Sequence, residues 1–322
     1  YHPEMGLIDL FGGMQDLKQR RIRCVGDPDC RFSEDSLRVM RGIRFCSQLS
    51  FSMESKTEKS LRKNASLLSH VAAERLSAEL LKLLCGENVC AVLLQYSDIL
   101  GEIIPEILPM VHFNQHTPYH IYDVYEHTAR SVAAVLATPI CRLTMLLHDI
   151  GKPHCLTKDE NGRGHFKGHG KISVSMAETI LNRLRLDKHT IESVLLLIRY
   201  HDAVIEPSMP IVKRWLNRLT PEMFFMLLEV KFADNKAQNP THDRQESYRE
   251  IRIIAELVLS QQECFSLKML AINGDDLIAQ GIMPGKALGE TLHFLLQAVM
   301  DNRCANEKDA LLAFLEETSH PS

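Results

Sequence analysis

Apolar residues recur every three or four positions along most of this chain, and this spacing predicts amphipathic helices. The pattern becomes regular near Ser33, which is predicted to cap the first long helix because Glu34 and Asp35 follow in its first turn. Two or three short helices are expected after residue 266. The remaining helical periods cover residues 54–64, 72–85, 87–96, 98–108 and 120–260.

Strand-like segments are expected only at the start of the chain. Short extended stretches are predicted around Leu7–Leu10 and Arg21–Val25, and no stretch after residue 30 alternates apolar and polar residues. A segment from Pro109 to Pro118, rich in Pro, His, Asn and Thr, indicates a boundary loop. A glycine-rich loop from Thr157 to Gly170 interrupts the second helical array. The sequence therefore predicts a predominantly all-α fold with a short β element at the front.

Composition is that of an ordinary globular protein. Hydrophobic residues make up 45% of the chain and charged residues 24%, which argues against a disordered or fibrous chain. The formal net charge of −4 excludes a uniformly basic protein that coats nucleic acid. The nine cysteines include no C-x-x-C pair and are typical of core thiols in a reducing cytoplasm. No apolar run approaches the roughly 18 residues of a membrane span, so a cytoplasmic protein without a membrane partner is predicted.

Histidine is the residue type in excess, with 15 copies. Several histidines and aspartates lie on, or at the end of, predicted apolar helices. For a single pair such as His148-Asp149, a core histidine beside a helix cap is an equally good interpretation. Buried histidines and aspartates without partners are costly, however, and a shared cation would satisfy a whole set of them. The candidate metal ligands are His127, His148, Asp149, His169, His201 and Asp234.

A row of arginines follows the front segment. Asp35 and Arg38 are spaced as a helical i,i+3 pair, which is usually a surface salt bridge. The same two side chains can also offer an acceptor and a donor to the edge of a nucleobase. Arg38, Arg41 and Arg44 are expected along one side of a helix, an arrangement that suits a triphosphate or an RNA backbone.

The spacing of the candidate ligands resembles the H…HD…D series of the HD phosphohydrolase superfamily. In that comparison His169 and His201 match the two further histidines of its two-metal members. Mixed histidine and carboxylate ligation suits Mn, Ni, Fe, Zn or Mg, and the sequence does not choose among them. The residues that carry the series are His127, His148, Asp149 and Asp234.

This resemblance implies catalytic roles for Asp149 and Lys152. Asp149 would bridge two divalent ions, and Lys152 would place a positive charge near the outgoing phosphate. The implied activity is a phosphatase or a 2′,3′-cyclic phosphodiesterase. A nucleotide- or RNA-binding module of the same fold without turnover is the alternative.

Motifs in the first 80 residues resemble class II CCA-adding tRNA nucleotidyltransferases and bacterial poly(A) polymerases. The resemblance implies that Asp35, Arg38 and Arg41 bind the incoming ATP or CTP and that the tRNA 3′ end is a partner. It also implies that the E-R-x-x-x-E element braces the helices of residues 31–110, which form the neck in that family. It extends into the tail, at Ile272–Leu277. The motifs are D-x-x-G-G-x-x-D-L at Asp9–Leu17, I-R-x-V-G-D-P at Ile22–Pro28, R-F-x-E-D-x-x-R-x-x-R-x-x-R-F at Arg31–Phe45 and E-R-x-x-x-E at Glu74–Glu79.

The polymerase palm of that family is the part without a match. Outside the matched front motifs, which use Gly12-Gly13 and Asp27-Pro28, these 322 residues contain no G-S or G-G turn and no D-x-D pair of the kind that holds Mg²⁺. We therefore expect the C-terminal part of a longer enzyme, an expectation that the missing initiator Met supports. The choice between CCA and poly(A) addition stays open, as does the oligomeric state. The expected segments are a palm remnant (1–30), a nucleotide- and RNA-binding neck (31–110), an HD domain (111–260) and a helical tail (261–322).

Overall fold

The computed structural model describes residue 4 and residues 6–319, without the side chain of Ser319. These residues form two compact units, which are described separately. The first comprises the chain up to Asp202 together with Glu229–Asp243. The second comprises Ala203–Leu228 and the chain from Arg244 onward.

Helices dominate both units, which confirms the predominantly α fold class. The helices are α1 (Gly13–Lys18), α2 (Pro28–Glu34), α3 (Leu37–Leu49), α4 (Ser55–Lys63), α5 (Ala73–Leu84), α6 (Val89–Gln95), α7 (Ser97–Gly101), α8 (Val124–Ala134), α9 (Pro139–Leu147), α10 (His169–Arg183), α11 (Lys188–Tyr200), α12 (Met209–Arg218), α13 (Pro221–Lys236), α14 (Gln245–Ser260), α15 (Gly274–Ala279), α16 (Lys286–Met300) and α17 (Lys308–Ser319).

The strands correct the prediction that none follows residue 30. Strand β1 (Arg21–Ile22) pairs in parallel with β2 (Ser52–Met53), and β3 (Thr157–Lys158) forms an antiparallel hairpin with β4 (Gly164–His165). Each strand has two residues, which is too short to show an alternating pattern. The predicted extended stretch at Leu7–Leu10 forms no strand.

The first helix start also differs from the prediction. Asp27 caps α2 by accepting a hydrogen bond from the Cys30 amide, and Pro28 occupies the first helical position. Ser33 therefore lies inside α2, which ends at Glu34 before α3 begins at Leu37. The Asp-Pro pair is the stronger start signal because proline fixes a helical φ where its missing N–H costs nothing.

In the first part of unit one, α3 packs against α5 through a polar bridge as well as an apolar core. Val39, Met40 and Ile43 of α3 are fully buried. Arg44 donates from Nε to Glu79 Oε2 of α5 at 2.7 Å, and its guanidinium lies 3.8 Å from the centre of the Phe45 ring. Arg44 therefore joins two helices and is not part of a free arginine row, which corrects the sequence expectation.

The rest of unit one is a bundle in which α8, α9, α10 and α11 are neighbours. Each helix start is well defined. Asp123, Thr138 and Asp187 accept hydrogen bonds from the first-turn amides of α8, α9 and α11. The apolar faces of α8, α9 and α11 are buried, so polar residues at the inner ends of these helices are carried into the interior.

Unit two has its own apolar core, built from α15, α16 and α17 and the segment before them. Helix α12 packs against α14 in the same unit, where Lys213 is almost fully buried and donates to Glu263 at 2.8 Å. The boundaries of the two units do not coincide with those of the four segments expected from the sequence. The division into four functional segments remains a prediction. The core residues are Cys264, Leu270, Ile272, Leu277, Leu295, Leu296, Val299, Met300 and Leu311.

No helix within residues 6–319 is long and apolar enough to cross a membrane. All nine cysteines lie in the described part of the chain and carry free thiols.

The Arg44–Glu79 bridge predicts a strong stability effect. The side chains are only 12% and 10% exposed, so Glu79→Ala leaves a guanidinium nearly buried without its partner. We expect a loss of about 3 kcal/mol in the free energy of unfolding, measured by urea denaturation. Lys63→Ala is the control, because its pair with Asp29 is exposed and screened by water. Equal effects of the two variants would contradict the bridging role.

Candidate functional site

Five helices of unit one bring the predicted ligands together. His127 lies on α8, His148 and His201 follow the last turns of α9 and α11, and His169 begins α10. Asp234 lies near the end of α13. His127, His148 and Asp149 are no more than 2% exposed, so this polar group is part of the protein interior.

Backbone carbonyls fix the orientation of all four histidine rings. Each Nδ1 lies 2.6–3.2 Å from a carbonyl oxygen, and because a carbonyl only accepts, each Nδ1 carries the proton. In the neutral ring, Nε2 is then unprotonated, and its lone pair points into the cluster. This arrangement is typical of metal-binding histidines. The carbonyls belong to Ala237, Met145, Phe166 and Ile198 for His127, His148, His169 and His201.

The donor atoms form two groups, each with its three atoms within 4.8 Å of one another. One group contains His127, His148 and Asp234, and the other contains Asp149, His169 and His201. In the first group, His127 Nε2 lies 2.9 Å from Asp234 Oδ1. In the second, the Nε2 atoms of His169 and His201 are 3.2 Å apart. Two lone pairs at that distance need a proton or a cation between them.

Asp149, a member of the second group, also contacts the first. Its Oδ2 lies 3.2 Å from His148 Nε2, whereas its Oδ1 lies 3.4 Å from His169 Nε2. The Nε2 atoms of His127 and His148 and Oδ2 of Asp149 are buried and form no hydrogen bond of normal geometry with the described residues, despite their short contacts. Buried donor atoms that lie close together without satisfying one another fit the ligands of divalent cations, which these histidines and carboxylates would hold.

Lys152 is buried beside Asp149 and is held from two sides. Its Nζ lies 2.6 Å from Asp149 Oδ2 and donates to Gln115 Oε1 at 2.9 Å. Gln115 is itself buried and donates from Nε2 to the Tyr122 carbonyl at 3.2 Å. The ammonium group thus offsets the charge of a buried carboxylate, in addition to facing the cavity described below.

Proton positions follow from these contacts. Burial lowers the pKa of His148, but Asp149 and Asp234 outweigh burial and raise that pKa to about 10. At His169, Asp149 and Asp202 likewise overcome burial and raise the pKa to about 10. Against the effect of burial, His148 and Lys152 hold the pKa of Asp149 well below its usual range. Without a cation, protons on two histidines therefore hold the carboxylates together.

A cavity of about 690 Å³ opens onto the second donor group. Asp149, His169, His201 and Asp234 reach its wall, and the exposed cations Lys167, Lys171 and Arg199 surround them. Its size is within the range of about 300–1,000 Å³ that is usual for small-molecule sites.

Sequence reasoning missed several residues of this cavity. Tyr119 and His120, which the sequence places in or near a boundary loop, line the cavity, and Gln115 of that loop accepts a hydrogen bond from Lys152. The His120 ring lies 5.0 Å from that of His127, and burial lowers its pKa to about 3. Asp202, directly after His201, also lines the cavity. Its position in a second His-Asp pair was the one available sequence signal.

A second cavity, of about 420 Å³, contains the arginines of the front motifs. Arg38 and Arg41 line it together with Arg23 and Arg31. Asp35 is not among the lining residues. The predicted Asp35–Arg38 pair is replaced by two others, because Arg38 contacts Glu34 at 2.9 Å and Asp35 lies 3.4 Å from Arg75.

Comparison with known proteins identifies the family. The family "tRNA nucleotidyltransferase domain 2 putative" matches residues 169–315, and "Probable RNA and SrmB-binding site of polymerase A" matches residues 50–110. The A-adding tRNA nucleotidyltransferase of Deinococcus radiodurans is 28% identical over 307 residues, which are 91% of this chain and 70% of that protein. The CCA-adding enzyme of Lactiplantibacillus plantarum is 30% identical over 310 residues, which are 96% of this chain and 66% of that protein. The chain belongs to the tRNA nucleotidyltransferase family of the CCA-adding enzymes.

The fold agrees with this family. The crystal structure of the Bacillus stearothermophilus CCA-adding enzyme in complex with CTP matches with a TM-score of 0.69 at 24% identity, over 97% of this chain and 69% of that chain. The chain thus spans about two thirds of the length of these tRNA nucleotidyltransferases. The RNA-binding match covers α4 to α7, and the other match begins at His169.

Gly151, two residues after Asp149, has no room for a side chain. A Cβ there would lie 2.8 Å from the His169 carbonyl oxygen and 2.8 Å from the Ser173 amide nitrogen. Gly151→Ala should therefore displace the first turn of α10 and lower the free energy of unfolding by about 1–3 kcal/mol in urea denaturation. Gly170→Ala is the control in the same helix, since its Cβ would meet only His201 Cε1 at 3.9 Å. A Gly151→Ala protein as stable as that control would contradict this packing.

Proposed function

We propose that the two donor groups form a divalent-metal site that hydrolyses phosphate esters, in a protein that acts on the 3′ end of tRNA. The convergence of four oriented histidine Nε2 atoms with Asp149 and Asp234 carries this proposal. Mn, Ni, Fe, Zn and Mg all accept such ligands. When bound, the ions would supply Lewis acidity and a water of lowered pKa.

The residues of the chain supply orientation and charge. Asp149 directs one oxygen to each donor group, and Lys152 with Gln115 holds that carboxylate in place. The carbonyl contacts keep each histidine Nε2 free of its proton in the neutral ring, as a ligand requires. The two groups differ in access, because only Asp234 of the first group lines the cavity, whereas all three members of the second group line it. Substrate therefore approaches from the side of His169 and His201.

The cavity suits a nucleotide with a terminal phosphate. Lys167, Lys171 and Arg199 favour a phosphate group, and the rings of Tyr119 and Phe166 in the same wall offer apolar surface to a base. The relatives are named for acting on tRNA. A phosphomonoester or a 2′,3′-cyclic phosphate at a damaged tRNA 3′ end is accordingly the proposed substrate.

The arginine cavity supports a second, separate activity, the binding of ATP or CTP. Arg23, Arg31, Arg38 and Arg41 converge on a space of about 420 Å³ next to Phe32 and Phe45. Guanidinium groups bind phosphates through charge-assisted hydrogen bonds. We assign no step of nucleotidyl transfer to the described residues, because the Mg²⁺-binding carboxylates of that reaction belong to the palm that the family resemblance implies. Whether CCA, A or poly(A) is added is a property of the whole enzyme, including its palm.

Hydrolysis of a cyclic phosphate tests the first proposal. The purified chain, dialysed against Mn²⁺, Ni²⁺, Fe²⁺, Zn²⁺ or Mg²⁺ in turn, should open 2′,3′-cyclic AMP and a tRNA with a 2′,3′-cyclic phosphate end with at least one of them. His148→Ala should lower kcat/KM by about 100-fold or more, because a ligand of the first group is lost. His189→Ala, which removes an exposed histidine of α11, is the control and should retain full activity.

The same assay distinguishes a phosphohydrolase from the alternative, a nucleotide- or RNA-binding module without turnover. A chain that binds metal and hydrolyses neither substrate would contradict the phosphohydrolase proposal and favour a binding module. Activity that survives His148→Ala would show that the reaction belongs to another site or to a contaminant.

Nucleotide titration tests the second proposal. Arg41→Ala and Arg38→Ala should each weaken ATP or CTP binding about tenfold or more in calorimetry, because each removes a charged hydrogen-bond donor from the cavity. Arg249→Ala, an exposed arginine of α14, is the control. Unchanged affinity in both cavity variants would contradict nucleotide binding at this place.

A further inference from the structure

Asp202 lies where the second donor group meets the cavity. Its side chain is 60% exposed, whereas those of Asp149, His169 and His201 are 10% exposed or less. It follows His201 at the end of α11, so the backbone that places one ligand also places this carboxylate.

Both carboxylate oxygens of Asp202 face histidine Nε2 atoms. Oδ2 lies 3.0 Å from His169 Nε2, and Oδ1 lies 3.4 Å from His201 Nε2. Each of these rings donates its Nδ1 proton to a backbone carbonyl, at Phe166 and Ile198. In the neutral rings that metal binding requires, the carboxylate oxygens and the two Nε2 lone pairs are directed at a common region.

The separations fit ligands of one ion. Metal–nitrogen and metal–oxygen bonds of about 2.0–2.2 Å place neighbouring ligand atoms roughly 3 Å apart. His169 Nε2 is 3.2 Å from His201 Nε2, 3.4 Å from Asp149 Oδ1 and 3.0 Å from Asp202 Oδ2. Asp202 Oδ2 thus lies as close to His169 Nε2 as the other donors of the group do, although the set whose donor atoms all lie within 4.8 Å of one another comprises Asp149, His169 and His201.

We infer that Asp202 is a fourth protein ligand of the second metal ion, beside Asp149, His169 and His201. This inference rests on the proposed metal site. The second position would thereby gain a carboxylate whose side chain is 60% exposed, the most exposed of the donors on the cavity wall. We expect the ion that it holds to be the more weakly bound of the two.

Manganese binding tests the inference in solution. Equilibrium dialysis with elemental analysis should find two Mn²⁺ per wild-type chain. Asp202→Asn, which keeps the shape of the side chain, should weaken the lower-affinity Mn²⁺ at least tenfold and leave the other unchanged. Glu192→Gln, which removes an exposed carboxylate from the same helix, should bind both ions as the wild type does. Equal binding by Asp202→Asn and the control would overturn the inference, and so would a wild type that binds only one ion.

Crystals of the Mn²⁺-loaded chain separate a ligand from a residue that only orients His169. A carboxylate oxygen of Asp202 within about 2.2 Å of the second anomalous peak is the expected result. An oxygen more than about 3 Å from the ion, with His169 bound, would overturn it. Neither readout depends on turnover. A chain that binds two ions through Asp202 yet hydrolyses no phosphate ester would refute the proposed activity while leaving this inference intact.

Discussion

Burial of the Asp149 carboxylate is the constraint around which unit one is arranged. A charged carboxylate that is 2% exposed is stable only with opposite charge close by, and four histidines and Lys152 lie within 4 Å of it. Those partners come from four different helices and the turn after α9. The helix caps, the tight turn at Gly151 and the carbonyl contacts of the rings therefore contribute to one requirement, that these donors reach a common centre.

The proposed binding of ATP or CTP depends on a different interaction, the ion pair between Arg44 and Glu79. Helix α3, which carries Arg38 and Arg41, is joined to α5 by Arg44 and Glu79, a pair almost excluded from water. Arg44 is thereby withdrawn from ligand binding, while Arg38 and Arg41 remain at the cavity. Of the predicted row, Arg44 thus stabilises the packing of two helices, whereas Arg38 and Arg41 line the cavity. The two cavities have separate sets of cations, which is consistent with two chemistries on one chain.

Much of this organisation could be predicted from local patterns. The helical periods predicted the fold class, and the order of His127, His148-Asp149 and Asp234 predicted residues that the structure brings together. Other contacts between distant segments could not be predicted. The partner of Arg44 is 35 positions away, and His120 and Gln115 reach the metal-donor groups from a segment with no regular pattern. Asp202 had only a weak signal, the second His-Asp pair, because an exposed aspartate after a helix is usually a solvated residue.

The account rests on Asp149 serving both donor groups, and Mn²⁺ binding by Asp149→Asn tests that most directly. The substitution keeps the size of the side chain and removes the charge and the bridging carboxylate. We predict two bound Mn²⁺ in the wild type and a loss of at least tenfold in affinity for both in the variant, measured by equilibrium dialysis. Binding of two Mn²⁺ with unchanged affinities by Asp149→Asn would contradict the account.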